Sequence, residues 1–349
     1  MTSWRTTACV AGLALALGCA AGAVVAQPAF GIGPGPGAAP QAGEQRSIGE
    51  WLMRMHDASR KRAYTGIFVV SSDALLASAR IWHACEGDQQ IERVDTLTGP
   101  PRSAFRRNDH VVTFMDDSKT ARIEKRQGLG LFPNVLQVAD SAIADFYAVK
   151  VLGRERVAGH EADIVWLRPK DDLRYGYRVW SERRTGLVIK LQTLALEGRV
   201  LEQAAFSELQ IDAPVRLSTL ARMMNKTAGY RVEQLDTQMV DAQTEGWELR
   251  EAIPGFRAVS CIKRAAQPGV PPTTLQWVFS DGLASVSLFI EPYDAQRHLQ
   301  EGLATMGATQ SLMLRSEDMW LTVVGEVPTG TLKSFAKSLQ RLQRKSNDK

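Results

Sequence analysis

The stretch "YGYRVWSERRTGLVIKLQTLALEGRVLEQAAF", Tyr175 to Phe206, constrains the fold more than any other part of the chain. Tyr177 and Val179 alternate with Arg178 and Trp180, the period of two that a strand with two unlike faces requires. The polar break Glu182-Arg183-Arg184-Thr185-Gly186 ends in a glycine, which accepts the positive φ of a hairpin turn. Leu187, Ile189 and Leu191 then fall on one face, with Lys190 and Gln192 on the other. Glu197-Gly198-Arg199 makes a second turn, and Val200 to Phe206 runs back. Three strands joined by short turns form a meander. Nothing in it looks like a catalyst.

The pattern continues elsewhere. Ser47-Ile48-Gly49-Glu50 reads as a capping box that opens a helix with Ile48, Trp51, Leu52 and Met55 on its buried stripe. "YTGIFVVSS", "ARIWHA", "QQIERVDTL", "HVVTFMDD" and "TARIEKR" follow as short strands. Ile67-Phe68-Val69-Val70 and Ile164-Val165-Trp166-Leu167 are apolar on both sides, so those strands need cover on both faces. A helical piece is expected around Ser141 to Tyr147.

Composition shifts after Leu209, where "DAPVRLSTLARMMNKTAGYRVEQLDTQ" begins with a proline break and leads to a second module from about Gly246. There "GWELREAIPGFRAVSCIKR", "TTLQWVFSDGLASVSLFIEP" and "MWLTVVGEVP" read as strands, with a tight turn at Ser280-Asp281-Gly282. The final segment places Leu332, Phe335, Ala336, Leu339 and Leu342 on one face of a C-terminal helix.

Two modules agree with the length of 349 residues. A hydrophobic content of 44% and a charged content of 23% are those of an ordinary globular protein. The net charge of +4 argues against nucleic acid as the main partner. Positive residues do cluster, at Arg102, Arg106 and Arg107 and at Arg122, Lys125 and Arg126. Such clusters are solvated strand faces or seats for phosphates and acidic partners.

The search for chemistry returns little. His56, His83, His110, His160 and His298 are isolated, and no HExxH or CxxC spacing supports a metal site. His83 and Cys85 share a strand face, a weak metal pattern that reads better as a packed strand pair. Gly128-Leu129-Gly130-Leu131 lacks the residues of a phosphate cradle, Asp116-Asp117 fits a hairpin tip, and no nucleophile elbow is present. No catalytic residue, metal or cofactor is assigned. A binding protein is the better reading, with a hydrolase as the enzymatic alternative.

Arg5, the Ala- and Leu-rich run from Ala8 to Ala26 and the small residues Val24-Val25-Ala26 have the form of a secretory signal. The run barely reaches the roughly 20 residues a membrane anchor needs. Ala16-Leu17-Gly18-Cys19 is a poor lipoprotein site. Cys85 and Cys261 then remain in the mature chain, where pairing is left open.

Taken in order, "WLMRMHDASRKRAYTGIFVV", "GDQQIERVDTLTGPPRSAFRRNDHVVTF", the meander, "AIPGFRAVS", "VFSDGLASVSLFI" and "LTVVGEVPTGTLKSFAKSL" resemble the MucB/RseB family of periplasmic sigma-factor regulators. The resemblance implies an α+β chain. Its first domain would be a large unclosed antiparallel β-barrel, similar to LolA/LolB, with helical cover. Its second would be a smaller α+β domain with an antiparallel sheet and a C-terminal helix. The expected divisions are a signal peptide at 1–26, a Pro/Gly-rich tether at 27–46, a lipid-binding domain at 47–212, a linker at 213–245 and the small domain at 246–349.

The resemblance also implies partners: the periplasmic domain of a membrane-spanning anti-sigma factor (RseA/MucA type), and lipid A or another acyl-chain ligand that weakens that grip. The chain would shield the anti-sigma factor from proteolysis. Homo-oligomerisation stays open. Candidate cavity residues are Phe68, Val70, Phe114, Phe132, Trp166, Trp180 and Leu191. The anti-sigma segment is expected chiefly on the second module and the connection from Pro214 to Gln243. A carrier of lipids or lipoproteins is the alternative function.

Cleavage after Ala26 is expected, so the intact mass of the exported protein should begin at Gln27. A diacylated Cys19 at the N-terminus would overturn it and favour the carrier.

Overall fold

The computed structural model describes residues 46–73, 75–125, 143–235, 237–264 and 274–342. The expected signal, most of the tether, the Gly128–Leu131 loop and Phe132 lie outside the described residues. Near the start of the described residues stands the capping box. The Ser47 hydroxyl accepts from the Glu50 backbone N–H at 3.2 Å, and the Glu50 carboxylate accepts from the Ser47 N–H at 2.6 Å. Two helix-end donors are thereby satisfied reciprocally. The helix that follows, α1 (Ile48–Lys61), buries Ile48, Trp51, Leu52 and Met55 as its spacing predicts.

From α1 the chain runs through β1 (Tyr64–Ser72), β2 (Leu75–Glu86), β3 (Gln89–Thr96), β4 (Arg102–Arg107), β5 (His110–Met115) and β6 (Thr120–Lys125). After the short α2 (Ile143–Phe146) come β7 (Tyr147–Val157), β8 (His160–Pro169), β9 (Gly176–Glu182), β10 (Val188–Leu194) and β11 (Val200–Ile211). The 213–245 segment continues with α3 (Leu217–Met224), β12 (Arg231–Leu235) and β13 (Thr237–Met239). Strands β1 to β12 form one sheet in the order β12-β6-β5-β4-β3-β2-β1-β11-β10-β9-β8-β7. Its neighbours are antiparallel except β12 and β6, which run parallel. The order ends at two edge strands, so the sheet stays open.

Register assigns the faces. On one, Phe68 and Val70 of β1 stand opposite Phe206 and Ala204 of β11, and Ala204 stands opposite Leu191 of β10. Leu191 in turn faces Val179 of β9, which faces Val165 of β8. Helix α1 covers this face, packing Trp51, Leu52 and Met55 with Val165, Leu167, Tyr177 and Val179. The opposite face of the outer strands carries Ala84, Ile91, Phe105, Val112, Phe114 and Ala121, and α3 lies on it through Leu220 and Met224. The two helices thus cover opposite faces of different parts of the sheet, α1 over the strands around β8 to β10 and α3 over β2 to β6.

The remainder folds as β14 (Trp247–Leu249), β15 (Arg257–Arg264), β16 (Leu275–Ser280), β17 (Ser285–Pro292), β18 (Gly302–Met306), β19 (Thr309–Ser316), β20 (Met319–Gly325), α4 (Thr329–Ser338) and β21 (Leu339–Arg341). Its antiparallel sheet has the order β13-β15-β16-β17-β20-β19-β18. Leu332 and Phe335 of α4 bury against Phe256, Leu275, Phe279, Val286 and Leu321. The architecture is the α+β arrangement expected from the sequence: a large open sheet with helical cover, then a smaller sheet with a helix.

The C-terminal helix is shorter than the apolar stripe Leu332 to Leu342 predicts: α4 ends at Ser338, and Leu339 turns into extended backbone with ψ 128°. Leu339–Arg341 pairs instead with Trp247–Leu249. The Ser338 carbonyl accepts from Arg250 N–H and the Leu342 N–H donates to the Gly246 carbonyl, both at 2.8 Å. These bonds give the backbone after Ser338 partners that a further helical turn would forgo.

Cys85 and Cys261 are free, one on β2 of the large sheet and one on β15 of the small sheet. Burial, reinforced by Asp241 and Glu245, pushes the Cys261 thiol up to about 11. Burial also raises Cys85, which stays partly exposed. Because the thiolate is the reactive form, iodoacetamide at pH 8 should modify Cys85 first and Cys261 only on unfolding. Peptide mass spectrometry of the native and the urea-unfolded protein checks this, and equal native labelling would contradict it.

Candidate functional site

The expected cavity residues separate into groups. Phe68, Val70 and Leu191 share the α1 face of the large sheet through the register given above. Phe68 is half-buried, its ring edge-on to Phe206 with centroids 6.2 Å apart. Trp166 and Trp180 lie on the other face, opposite Arg178 and Lys190 respectively. The Trp180 indole N–H donates to Glu155 at 2.7 Å, and the Lys190 ammonium sits 4.2 Å from the ring centroid. Trp166 is half-buried beside Arg168. Phe114 belongs to the core beneath α3, edge-on to Phe105 and Tyr230. Phe132 lies outside the described residues. By register Phe68, Val70 and Leu191 share one face of the sheet, and Phe68 also packs against the cluster that holds Phe206 and Trp180.

A second feature forms where the two sheets meet. It is built on the hairpin between β16 and β17, whose tip is Ser280-Asp281-Gly282-Leu283-Ala284. Asp281 Oδ1 accepts from the backbone N–H of Leu283 at 2.9 Å and of Ala284 at 2.7 Å. Ser280 Oγ accepts from Gly282 N–H and donates to the Ala284 carbonyl. These short-range bonds hold the tip rigid. They leave Asp281 Oδ2 to face the large domain, where it accepts from Tyr147 Oη at 3.0 Å and Arg174 Nη1 at 2.8 Å. Leu283 enters the apolar cluster under α1 that also holds Trp51, Ile143, Tyr147 and Tyr177.

Arg174 lies in the connection between β8 and β9, and its side chain has 0% exposure. Its Nε donates to Asp171 at 2.9 Å and its Nη2 to the Pro254 carbonyl at 2.6 Å. Phe146 and Phe256 flank the guanidinium at 4.6 and 5.1 Å from their centroids. Burial pushes the Asp281 carboxyl up, although Leu283, Ala284, Tyr147 and the Arg174 charge all pull it down. Burial also raises the Tyr147 phenol well above its ordinary value. Both groups therefore resist carrying charge there, and the Leu283 N–H, followed by the Arg174 charge, does most to offset that burial at Asp281.

The junction extends on either side of this pair. Thr331 Oγ1 of α4 donates to the Leu173 carbonyl at 2.7 Å. Tyr175, Ala195 and Leu201 of the large domain bury Ala308, from the β18–β19 turn. Sequence reasoning marks Ser280-Asp281-Gly282 as a turn but misses Arg174, Tyr147, Asp281 and Leu283 as a set. The available signal was Leu283, an aliphatic residue set directly after a tight turn, where solvent exposure is the norm.

Comparison with known proteins places this geometry in context. Residues 47–224 match the family model of the MucB/RseB N-terminal domain, and residues 241–340 that of the MucB/RseB C-terminal domain. The sigma factor AlgU regulatory protein MucB of Pseudomonas aeruginosa is 29% identical over 297 residues, spanning 83% of this chain and 90% of its own. The sigma-E factor regulatory protein RseB of Haemophilus influenzae is 25% identical over 299 residues, spanning 85% and 92%. A crystal structure of MucB in complex with MucA(peri) superposes with a TM-score of 0.62 at 27% identity, covering 84% of this chain and 98% of that one. A second complex, Pseudomonas aeruginosa MucA/MucB, gives 0.65 at 27% identity, covering 85% and 99%.

Two glycines test the junction against a control. Gly255 has φ +82°, and a Cβ there would meet Arg174 Nη1 at 2.8 Å and Phe146 Cδ2 at 3.1 Å. Gly198 has φ +88°, with nothing within 4 Å. Both Gly→Ala changes incur backbone strain of about 1–2 kcal/mol. Gly255→Ala should cost about 1–3 kcal/mol more, because the pinned guanidinium cannot move aside. Urea unfolding of the two variants measures the difference; equal losses would mean that Arg174 yields.

Proposed function

The chain belongs to the MucB/RseB family, and we propose that it acts as a periplasmic regulator of an envelope-stress sigma factor. It does so by binding the periplasmic segment of a membrane-spanning anti-sigma factor and shielding that segment from proteolysis. The observation that carries this reading is the presence of both family domains in order, together with likeness to MucB bound to MucA over 84% of the chain. No catalytic step enters it. The two domains divide the work. The second domain and the Pro214–Gln243 connection grip the partner, while the first domain receives an acyl-chain ligand against the face that carries Phe68, Val70 and Leu191.

Ligand binding then has to loosen the grip. A ligand moves an equilibrium only by its differential affinity for two states, and converting 1:99 into 99:1 takes about 5.5 kcal/mol. At about 0.8 kcal/mol per buried methylene, this needs roughly seven methylenes buried in one domain arrangement and not in the other. An acyl chain is long enough to supply that difference.

Titration calorimetry tests the reading. The mature protein should bind the periplasmic segment of the anti-sigma factor from its own organism, and adding lipid A should weaken that binding by at least about tenfold, or 1.4 kcal/mol. Absence of segment binding would overturn the regulator reading. Binding that ignores lipid A would remove the lipid arm alone.

A further inference from the structure

The first domain contains a buried cation whose counter-charge arrives from the second. Arg174 has no exposed side-chain surface, and two of its hydrogen bonds reach Asp281 and the Pro254 carbonyl across the junction. If the second domain withdraws, taking both the hairpin tip and the Pro254 carbonyl, Asp171 remains on Nε, but Nη1, Nη2 and the Tyr147 hydroxyl lose their acceptors. They would be left beside Phe146 and the apolar cluster that Leu283 vacates. Withdrawal would open this cation and the neighbouring apolar cluster to water side by side. A ligand that brings an anion and an apolar group together would cover both.

We propose that Arg174 and Tyr147, with the apolar wall of Ile143, Trp51 and Tyr177, form a binding site for an anionic amphiphile, a carboxylate or phosphate joined to an acyl chain. The hairpin tip is its built-in occupant. Asp281 stands where the head group binds and Leu283 where the chain begins. The inference rests on the reading above that the first domain takes an acyl-chain ligand, and it names the place, the head-group charge and the internal competitor.

A second observation supports it. The same cluster buries two donors, the Trp51 indole N–H and the Tyr177 hydroxyl, that have no hydrogen-bond partner among the described residues. Both residues are almost fully buried, at 2% and 3% exposure. An aliphatic side chain such as Leu283 offers them nothing, whereas a head group or ester oxygen offers an acceptor. Ligand and hairpin cannot occupy one site together, so filling it undocks the second domain. Occupancy of the first domain is in this way communicated to the domain that grips the partner.

The test uses the full mature chain and the fluorescent fatty acid cis-parinaric acid. Leu283→Ser and Asp281→Asn weaken the internal competitor and should tighten parinarate binding by about tenfold, whereas Arg174→Met should weaken it. Laurate should displace the probe, while dodecanol (a chain without the anion), acetate and inorganic phosphate (anions without a chain) should not at equal concentration. Laurate should also speed hydrogen exchange at the Leu283 and Ala284 amides of the wild-type protein, a readout that needs no variant to fold. Equal parinarate affinity in the wild type, Leu283→Ser and Asp281→Asn, or exchange unchanged by laurate, overturns the inference while lipid binding elsewhere in the first domain still stands. No parinarate binding by any form overturns the inference and the lipid arm together, leaving the partner reading to the calorimetry.

Discussion

A sheet whose strands are apolar on both sides cannot stand in water with either face bare, and the rest of the architecture answers that constraint. Ile67, Phe68, Val69 and Val70 of β1 are all half-buried, two on each face. The strands beyond β1 place Ile81 and His83 on one side and Trp82 and Ala84 on the other. Two short helices supply most of the cover, α1 through Trp51, Leu52 and Met55 and α3 through Leu220 and Met224. Neither helix is long enough to be stable by itself. Each exists because the sheet needs it, and α1 adds a full capping box at its free end.

Cover from α1 is incomplete at the β8–β9 end, and there the second domain contributes Leu283. Burying that leucine brings Asp281 with it, since the two lie on one rigid turn. A carboxylate cannot enter an apolar junction unpaired, and Arg174 meets it at 2.8 Å. A buried ion pair of this kind adds little net stability over a well-packed apolar contact, because both charges lose their hydration. What it adds is discrimination: a shifted hairpin would leave a bare guanidinium and a bare carboxylate. The approach of Gly255 to Arg174 acts in the same direction, since a Cβ there would clash with the held guanidinium.

Much of the large sheet is legible in the sequence because its information is local. The capping box, the Gly186 and Gly198 turns with φ +90° and +88°, and β1 from Tyr64 to Ser72 all follow from residues within a few positions of one another. The cavity residues were less so. Bulk on a strand is visible, but the face it occupies depends on register, and the alternation that puts Val70 and Leu191 together puts Trp166 and Trp180 on the other side. The junction was not legible. Arg174 and Asp281 are 107 positions apart, each within a polar turn that has an adequate local explanation. The C-terminal helix shows the same limit, since Leu339 keeps helical spacing and still pairs as a strand with Leu249.

The division into two cores bears on how such a chain can respond to a ligand. The small domain packs Phe256, Phe279 and Phe335 around its own sheet, and the large domain packs its strands under α1 and α3. Each is largely satisfied internally, so the contacts between them can be remade without unfolding either. The contacts that join them are of mixed character and include the Arg174–Asp281 ion pair, the bonds of Arg174 to the Pro254 carbonyl, Tyr147 to Asp281 and Thr331 to Leu173, and the burial of Leu283 and of Ala308 against Tyr175 and Leu201. The junction's polar members are paired in the docked arrangement, and leaving any one of them unpaired among apolar neighbours is costly. A ligand that supplies an anion to Arg174 and carbon to the Leu283 site matches the docked hairpin in charge and in apolar character. It therefore competes at the place where the opposing arrangement draws its stability, and the response does not depend on deforming either core.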